Sequence, residues 1–311
     1  MKKWYEKNPF VSDCEYANEL SGYTDQNGNQ AVIPPGWVVS GITEENTIWG
    51  KDQGLVIYRM PKEEVKEINW LDQEQVEKVK RTHDQLVWCP VEFLDADGTL
   101  DGNHFDSKFG RRNYRNVGFL DEEFKEELEG ELLEQCKSIE TYGGFYITRY
   151  NLSDGKTKPR SVKWAKPCTK IDFPTAMEIA TKFESTEFVQ SHLLYGAEYD
   201  SVMEWLIKSG SKTRREIVDD STKWGNYWNS KVSRHKLVVT GRHEDWKSNN
   251  IYDLAGNNDE WTQERYGETC RAIRGGDFYR DGFRFPASIR GYCYPNSKNH
   301  GTSCRGACFI K

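Results

Sequence analysis

The chain has 311 residues, a formal net charge of −6 and 30% charged residues, with a mean hydropathy of −0.83. Against a prior of roughly 150 residues per domain, this length allows one large domain or two ordinary ones and excludes a small disulfide-stabilised scaffold. No stretch approaches the roughly 18 apolar residues of a membrane span, and Met1–Asn8 lacks the apolar run of a secretory signal. We therefore expect cytoplasmic synthesis and no membrane insertion.

The first hundred residues predict strands and turns. Gly54–Tyr58 and Leu86–Val91 are apolar segments of strand length, and the charged segment Glu63–Arg81 between them predicts a helix. Asp95-Ala-Asp-Gly-Thr-Leu-Asp resembles a calcium loop, but it lacks the sixth-position Gly and the twelfth-position Glu of such loops. We interpret it as an acidic turn.

The remainder alternates helices with strands and then becomes rich in loops. Apolar residues at helical spacing predict helices over 121–140, 174–183 and 198–207, and Gly143–Tyr150 predicts a strand. Beyond Gly210 we expect loops interrupted by short strands such as Lys236–Thr240 and Arg271–Arg274.

Charge and cysteines narrow the classes of function. Residues 271–311 carry eight Lys or Arg and two Asp, so these arginines either pair with buried acids or face an anion. The rest of the chain is acidic, which argues against a nucleic-acid partner. Without a secretory signal, the eight cysteines favour free thiols over disulfides, and the absence of any Cys-x-x-Cys pair argues against structural zinc. Dinucleotide, phosphate-loop, Gly-x-Ser-x-Gly and His-Glu-x-x-His signatures are all absent from the sequence.

Four motifs in the second half carry a family resemblance. They are Phe145-Tyr-Ile-Thr-Arg-Tyr, Leu194-Tyr-Gly-Ala-Glu-Tyr-Asp-Ser-Val-Met-Glu-Trp, Tyr252-Asp-Leu-Ala-Gly-Asn-Asn-Asp-Glu-Trp-Thr and Ile273-Arg-Gly-Gly-Asp-Phe. In order and spacing they resemble motifs of the formylglycine-generating-enzyme (sulfatase-modifying factor) superfamily. The resemblance implies an α+β, C-type-lectin-like fold over residues 116–311, with residues 1–115 as a strand-rich N-terminal segment packed on it.

Departures from the superfamily argue against an enzyme. The oxidase branch uses two copper-binding cysteines shortly after the Gly-Gly motif, where a thiolate is both ligand and nucleophile. The matching positions here are Asp281 and Pro286, and the iron-binding His-x-x-x-His-x-Glu of another branch is also missing. We therefore predict a non-enzymatic protein that requires no cofactor. The alternative is a related enzyme with altered chemistry that uses C-terminal cysteines: Cys293, Cys304 or Cys308.

The C-terminal segment resembles the variable proteins of diversity-generating retroelements. A frame of Arg274-Gly-Gly-Asp-Phe, Pro286–Arg290, Pro295 and Ser303-Cys-Arg305 matches theirs, although Ser303 and Cys304 replace the usual Gly-Phe. Adenine-directed mutagenesis in that family cannot reach Trp, Gln, Glu, Met or Lys. Lys298 is the one exception in residues 275–310, and it falls at a frame position that need not vary. The remaining four types are Trp, Gln, Glu and Met. None of these occurs in residues 275–310, hereafter the variable segment, where roughly six would be expected from overall composition.

The resemblance predicts which residues bind a ligand. Tyr and Arg are enriched at binding hot spots because they combine large contact area with polar groups. The predicted ligand-binding residues are Tyr279, Arg280, Phe283, Phe285, Ile289, Tyr292, Cys293, Tyr294, Asn299 and His300. The expected partner is a protein or glycan on a cell surface, bound by a phage or bacterial recognition protein associated with a virion or cell surface. Filling of the fold is the alternative role for Phe283, Phe285 and Ile289.

Two further expectations concern the scaffold. In the superfamily, the loop that Gly256-Asn-Asn-Asp-Glu-Trp resembles often holds Ca²⁺, which implies Asn257 and Glu260 as ligands. A hydrogen-bonded turn without metal is the alternative. Frame arginines should be buried and paired, whereas Arg280 and Arg284 should be exposed.

Overall fold

The computed structural model describes residues 4, 8–51, 53–91, 109–114, 123–153, 158–230, 232 and 235–311. The helices are α1 (Lys62–Val65), α2 (Gln73–Thr82), α3 (Gly130–Tyr142), α4 (Phe173–Phe183), α5 (Gly196–Lys208) and α6 (Arg214–Val218), with 3-10 helices at Thr222–Trp224 and Glu244–Trp246. The strands are β1 (Ser21–Thr24), β2 (Gln30–Ile33), β3 (Trp37–Val39), β4 (Val56–Arg59), β5 (Asp84–Pro90), β6 (Phe124–Lys125), β7 (Gly144–Thr148), β8 (Val189–Leu193), β9 (Lys247–Ser248), β10 (Ile251–Tyr252), β11 (Asp259–Tyr266), β12 (Cys270–Arg274), β13 (Arg290–Cys293), β14 (Thr302–Cys304) and β15 (Gly306–Ile310). The predicted α+β class is confirmed.

A six-stranded antiparallel sheet forms the centre of the molecule. Its order is β3-β4-β5-β7-β15-β8, so strands from both predicted segments of the chain share one sheet. The domain boundary between 1–115 and 116–311 remains a prediction, and residues 115–122 lie outside the described part, as does the predicted acidic turn at Asp95–Asp101. No helix in the described part is long and apolar enough to cross a membrane.

Both faces of this sheet are buried, which explains why its strands are apolar without a polar alternation. On one face, side chains such as Val87 and Ile147 pack with Val202 and Trp205 of α5. On the other face, alternate residues such as Trp88 pack in a second cluster with apolar residues of α4. The sheet is therefore the middle layer of the fold.

A second, five-stranded sheet carries the C-terminal loops. It runs β13-β12-β11-β14, with β14 parallel to β11 and with β6 paired to the distal end of β11. The sequence predicted β12 but placed β11 in a loop, because Asp259–Tyr266 is polar for a strand.

Three predicted elements differ in the structure. Asp72 accepts hydrogen bonds from the backbone N–H groups of Glu74 and Gln75, so α2 begins anew where one continuous helix was expected. The helix predicted from residue 121 begins at Gly130, since Phe124–Lys125 pairs with β11 instead.

The predicted strand Lys236–Thr240 is wrong. Its backbone bonds to asparagine side chains rather than to a neighbouring strand: Asn226 Nδ2 donates to the Lys236 carbonyl and the Val238 N–H donates to Asn257 Oδ1. The other predicted strands and helices are present with boundaries shifted by a few residues.

A buried cluster of charges joins α5 to the second sheet. Arg274 Nη2 donates to Asp200 Oδ1 at 2.6 Å, and Arg290 contacts the other oxygen of the same carboxylate. Arg290 Nε also donates to Glu264 Oε1 at 3.1 Å, and Arg111 Nη1 lies 3.4 Å from that oxygen. The arginine and carboxylate side chains of 274, 290, 200 and 264 are fully buried. Each of the two buried carboxylates is thereby paired with at least two arginine side chains.

Arg305 forms a separate buried contact. Its Nε donates to Glu260 Oε1 at 2.9 Å, and its Nη groups donate to the carbonyls of Thr148 and Tyr252. All three frame arginines are buried and paired, whereas Arg280 and Arg284 are exposed. The expectation for the arginines is confirmed.

Arginine-to-alanine variants test this division between frame and surface. Arg290→Ala leaves Asp200 and Glu264 buried with fewer partners, so we expect a loss of roughly 3 kcal/mol or more of unfolding free energy. Arg280→Ala removes an exposed side chain, and we expect a change within about 0.5 kcal/mol. Denaturant unfolding of both variants measures the difference. Equal stability of Arg290→Ala and wild type would contradict the assignment.

Candidate functional site

Six of the ten predicted ligand-binding residues line one cleft that is open to solvent. The cleft has a volume of 510 Å³. The six predicted residues in its lining are Tyr279, Arg280, Tyr292, Cys293, Asn299 and His300, and the others are Asp259, Ile273, Asp277, Gly301 and Thr302. Residues that are 20 positions apart in sequence therefore converge on one site.

Two glycines create the path of the chain into the cleft. After β12, Gly275 and Gly276 both have positive φ, of 93° and 73°. A Cβ on Gly276 would lie 2.6 Å from the Phe285 carbonyl oxygen, so the loop from 277 to 285 folds back tightly against its own end. Pro286–Arg290 then runs through the interior, and β13 returns the chain to the cleft at Tyr292.

Aromatic contacts hold the walls. The Tyr292 ring stacks on that of Tyr266, with centroids 4.0 Å apart and planes 10° apart. The Tyr279 ring lies 4.2 Å from Phe278, which is buried. The Arg280 guanidinium lies 4.7 Å from the ring centroid of Phe285. The exposed side chains are thus supported by neighbours rather than free in solvent.

Two carboxylates lie in the cleft, and together we call Asp259 and Asp277 the acidic floor. Each is 9% exposed. Burial raises the pKa of both carboxyl groups, and repulsion by Asp277 raises the pKa of Asp259 further. Asp277 Oδ1 accepts the Tyr279 backbone N–H at 2.9 Å.

The other predicted ligand-binding residues lie outside the lining of the cleft. Phe283 and Tyr294 are 68% and 63% exposed, and Phe285 is half-buried beneath Arg280. Ile289 is 1% exposed because it lies in the buried run from 286 to 290, so its assignment to the binding surface is corrected to the core. Among the predicted tyrosine and arginine residues, Tyr279, Arg280 and Tyr292 share the cleft, whereas Tyr294 is exposed outside its lining.

Sequence reasoning missed the acidic floor. Asp277 was interpreted only as part of the frame, and Asp259 only as part of a loop. The parallel pairing of Asp259 with Thr302 brings β11 beside the end of the variable segment. That non-local pairing has no signal in the sequence. Trp228 was also missed, although its backbone N–H donates to the Arg280 carbonyl at 2.9 Å and its side chain is 46% exposed.

The C-terminal cysteines differ in their access to solvent. Cys304 and Cys308 are fully buried, and burial raises the pKa of both thiols well above the ordinary value. Such thiols are poor nucleophiles. Cys293 is half-buried in the cleft, where Asn299 Nδ2 donates to its Sγ at 3.2 Å. All eight cysteines lie in the described part of the chain as free thiols.

The side chains that the resemblance implies as calcium ligands bond to nitrogen donors. Asn257 Oδ1 accepts from Asn226 Nδ2 at 2.9 Å and from the Val238 N–H at 3.1 Å. Glu260 Oε1 accepts from Arg305, and only its other carboxylate oxygen is unpartnered. The superfamily site would also use the backbone carbonyls between the two residues, and Ca²⁺ needs roughly six to eight oxygen ligands. Of the two side chains, only Glu260 Oε2 is free to contribute, so the calcium site stays a prediction. In the described part of the chain, no group of three or more His, Cys, Asp or Glu side chains could hold a metal ion.

Solved structures that are similar to this one include three proteins. PvdO from Pseudomonas aeruginosa matches at 16% identity and a TM-score of 0.39, over 54% of this chain and 81% of PvdO. CarF matches at 12% identity and a TM-score of 0.34, over 54% and 87% respectively. Treponema denticola variable protein 1 matches at 13% identity and a TM-score of 0.29, over 72% and 84%.

No family model and no curated protein matches the chain. The three structural similarities have low identities and low TM-scores. At such low identities and scores, no function follows from them.

Calcium removal tests the turn at Asn257 and Glu260. Because both side chains are held by N–H donors of the protein, we expect the melting temperature to be the same in EDTA and in excess calcium. Differential scanning fluorimetry measures it. A lower melting temperature in EDTA that calcium restores would instead support the calcium site implied by the resemblance.

Thiol labelling tests the alternative in which C-terminal cysteines carry chemistry. In the folded protein we expect iodoacetamide to modify Cys293 well before Cys304 or Cys308, because the last two thiols are buried and protonated. Peptide mass spectrometry measures each rate, and labelling in denaturant provides the reference. Rapid labelling of Cys304 or Cys308 in the native state would contradict this expectation.

Proposed function

We propose that this chain is a non-enzymatic recognition protein that binds its ligand in the cleft. The single observation that carries the proposal is the convergence of six variable-segment residues on one open site while the intervening residues 286–290 are buried. Convergence of exposed, diverse side chains is what a binding surface requires. A surface that only covered the core would not need it.

The frame supports this role by keeping the site in place. Arg274 and Arg290 both bind Asp200 and flank the loop that bears Tyr279 and Arg280. Substitution of the exposed residues therefore leaves the buried charge cluster unchanged. Rigid support also lowers the entropy lost when a ligand orders the site.

The chemistry of the walls favours recognition over catalysis. Tyrosine and arginine provide large contact areas, cation–π contacts and hydrogen bonds at low entropic cost. A volume of 510 Å³ accommodates a few side chains of a protein or one to two sugar units. We propose a protein or glycan on a cell surface as the partner, in the setting of phage or bacterial surface recognition.

Binding to cells and glycans tests the cleft. We expect the double variant Tyr279→Ala/Tyr292→Ala to lose binding by roughly tenfold or more, because each tyrosine contributes a large contact area. The readout is binding of the labelled protein to a panel of bacterial cells and to a glycan array. Leu71→Ala is the matched control, since Leu71 is 92% exposed and lies outside the cleft. Equal binding by the double variant and wild type would contradict the proposal.

The genomic locus tests the diversification of the site. The proposal expects a reverse transcriptase gene and a near-copy of the codons for residues 275–310 that differs at adenines. Sequencing the neighbourhood of the gene shows whether they are present. If both are absent, the proposed diversification of the cleft is contradicted, whereas the proposed binding in the cleft is not.

A further inference from the structure

We propose that the acidic floor of the cleft receives an organic cation of the ligand, an alkylammonium or guanidinium group, with Tyr279 and Tyr292 at the walls. The inference rests on the proposed function, because it takes the cleft as the ligand site. It adds the chemical class of the group that reaches the bottom of the cleft.

The two carboxylates of the floor lack the arginine partners that the carboxylates of the buried charge cluster and Glu260 have. Asp200, Glu264 and Glu260 each have an arginine nitrogen within 4 Å. In the described part of the chain, neither Asp259 nor Asp277 has an ion-pair partner within that distance, although each is more than nine-tenths buried. Their hydrogen-bond donors are backbone N–H groups, Tyr279 for Asp277 and Gly276 for Asp259.

The cation of this chain that is nearest in sequence does not fill the gap. The Arg280 guanidinium lies over the Phe285 ring at 4.7 Å and forms no salt bridge with the floor. Arg280 is exposed, and although its charge lowers the pKa of both carboxyl groups, the effect of burial is larger and both pKa values stay raised. A ligand cation would therefore supply the close charge partner that the two carboxyl groups lack, and it would favour their ionised forms, which burial alone disfavours.

The surroundings of the floor favour an organic cation over a metal ion. No group of three or more metal-binding side chains converges here among the described residues, and two carboxylates fall well short of a calcium shell. Aromatic rings at the walls attract alkylammonium and guanidinium groups through cation–π contacts, which a strongly hydrated metal ion gains less from. The combination of carboxylates with tyrosines thus selects ammonium or guanidinium chemistry.

The floor is built into the scaffold whereas the walls are replaceable. Asp259 lies on β11, outside the variable segment, and Asp277 lies in the frame motif Arg274–Phe278. Gly301 packs so closely on Asp277 that an added Cβ would overlap Oδ2 of the carboxylate. Variants that differ at Tyr279, Arg280 or Tyr292 would keep the floor. They would therefore share a preference for cationic groups and differ in which ligand surfaces around the cation they accept.

Small probes of matched shape test the inference. The probes are N-acetyl-lysine methylamide, N-acetyl-arginine methylamide, butylammonium and the neutral N-acetyl-norleucine methylamide, titrated into the full chain by NMR. We expect the cationic amino-acid derivatives to bind and the norleucine derivative to bind roughly tenfold or more weakly. Binding of butylammonium as well would indicate that the ammonium group alone suffices. Binding of the derivatives only would assign the cation to a peptide side chain.

Charge-neutral variants locate the binding. Asp277→Asn and Asp259→Asn should each weaken the cationic probes by roughly tenfold or more, while Asp281→Asn should leave their affinity unchanged. Asp281 is the matched control because it lies in the same loop, accepts the Arg284 backbone N–H and does not line the cleft. Thermal melts show whether each variant is folded. If one variant does not fold, the comparison between cationic and neutral probes on the wild-type protein still tests the inference.

Equal binding of the lysine and norleucine derivatives to wild type, or full affinity in both floor variants, would overturn the inference. The proposed function would survive that result if Tyr279→Ala/Tyr292→Ala still lost binding to cells or glycans. Conversely, the double variant could bind cells and glycans as wild type does while the cationic probes still bind at the floor. That result would contradict the proposed function, and the floor would remain a site for organic cations.

Discussion

The pairing of Asp200 and Glu264 with buried arginines is the interaction on which the rest of the structure depends. Asp200 lies on α5, Glu264 on β11, Arg274 at the end of β12 and Arg290 at the start of β13. One set of charges therefore fixes a helix that packs on the central sheet against three strands of the second sheet. Buried ion pairs add little net stability, but loss of one partner is costly because the remaining charge stays desolvated. The cluster thus specifies one arrangement of these elements and contributes little to the overall free energy of unfolding.

This constraint explains how an exposed site can vary on a fixed fold. The loop between Arg274 and Arg290 starts and ends at a buried arginine whose guanidinium group forms several hydrogen bonds. Only the middle of the loop reaches solvent. Side chains such as Tyr279 and Phe283 contribute little to the interior, so their replacement changes contact chemistry and leaves the core packing alone. The acidic floor belongs to the fixed part, so the same two carboxyl groups would lie beneath whichever exposed side chains surround the cleft.

Much of this architecture was predictable from local patterns, and the rest depends on contacts between distant residues. Strands β4, β5 and β7 and helices α4 and α5 follow from apolar periodicity, and the burial of Arg274, Arg290 and Arg305 follows from the motif resemblance. In the segment Lys236–Thr240, Lys236 and Val238 bond to asparagine side chains and Thr240 bonds to the backbone of a loop, which periodicity cannot reveal. Asp259 reaches the cleft only because β14 pairs in parallel with β11, and Ile289 is buried by a chain path that its neighbours in sequence do not indicate.

The position of β15 has a consequence for biosynthesis. This strand, Gly306–Ile310, lies between β7 and β8 in the interior of the six-stranded sheet, so the sheet is complete only after residues 290–305 have emerged and passed through the second sheet. Non-local pairing of this kind makes folding slow and late. A chain whose variable segment cannot adopt its frame therefore also exposes the edges of β7 and β8, which chaperones and proteases recognise. Under the proposed function, quality control in the cell would then remove misfolded sequence variants before any of them met a ligand.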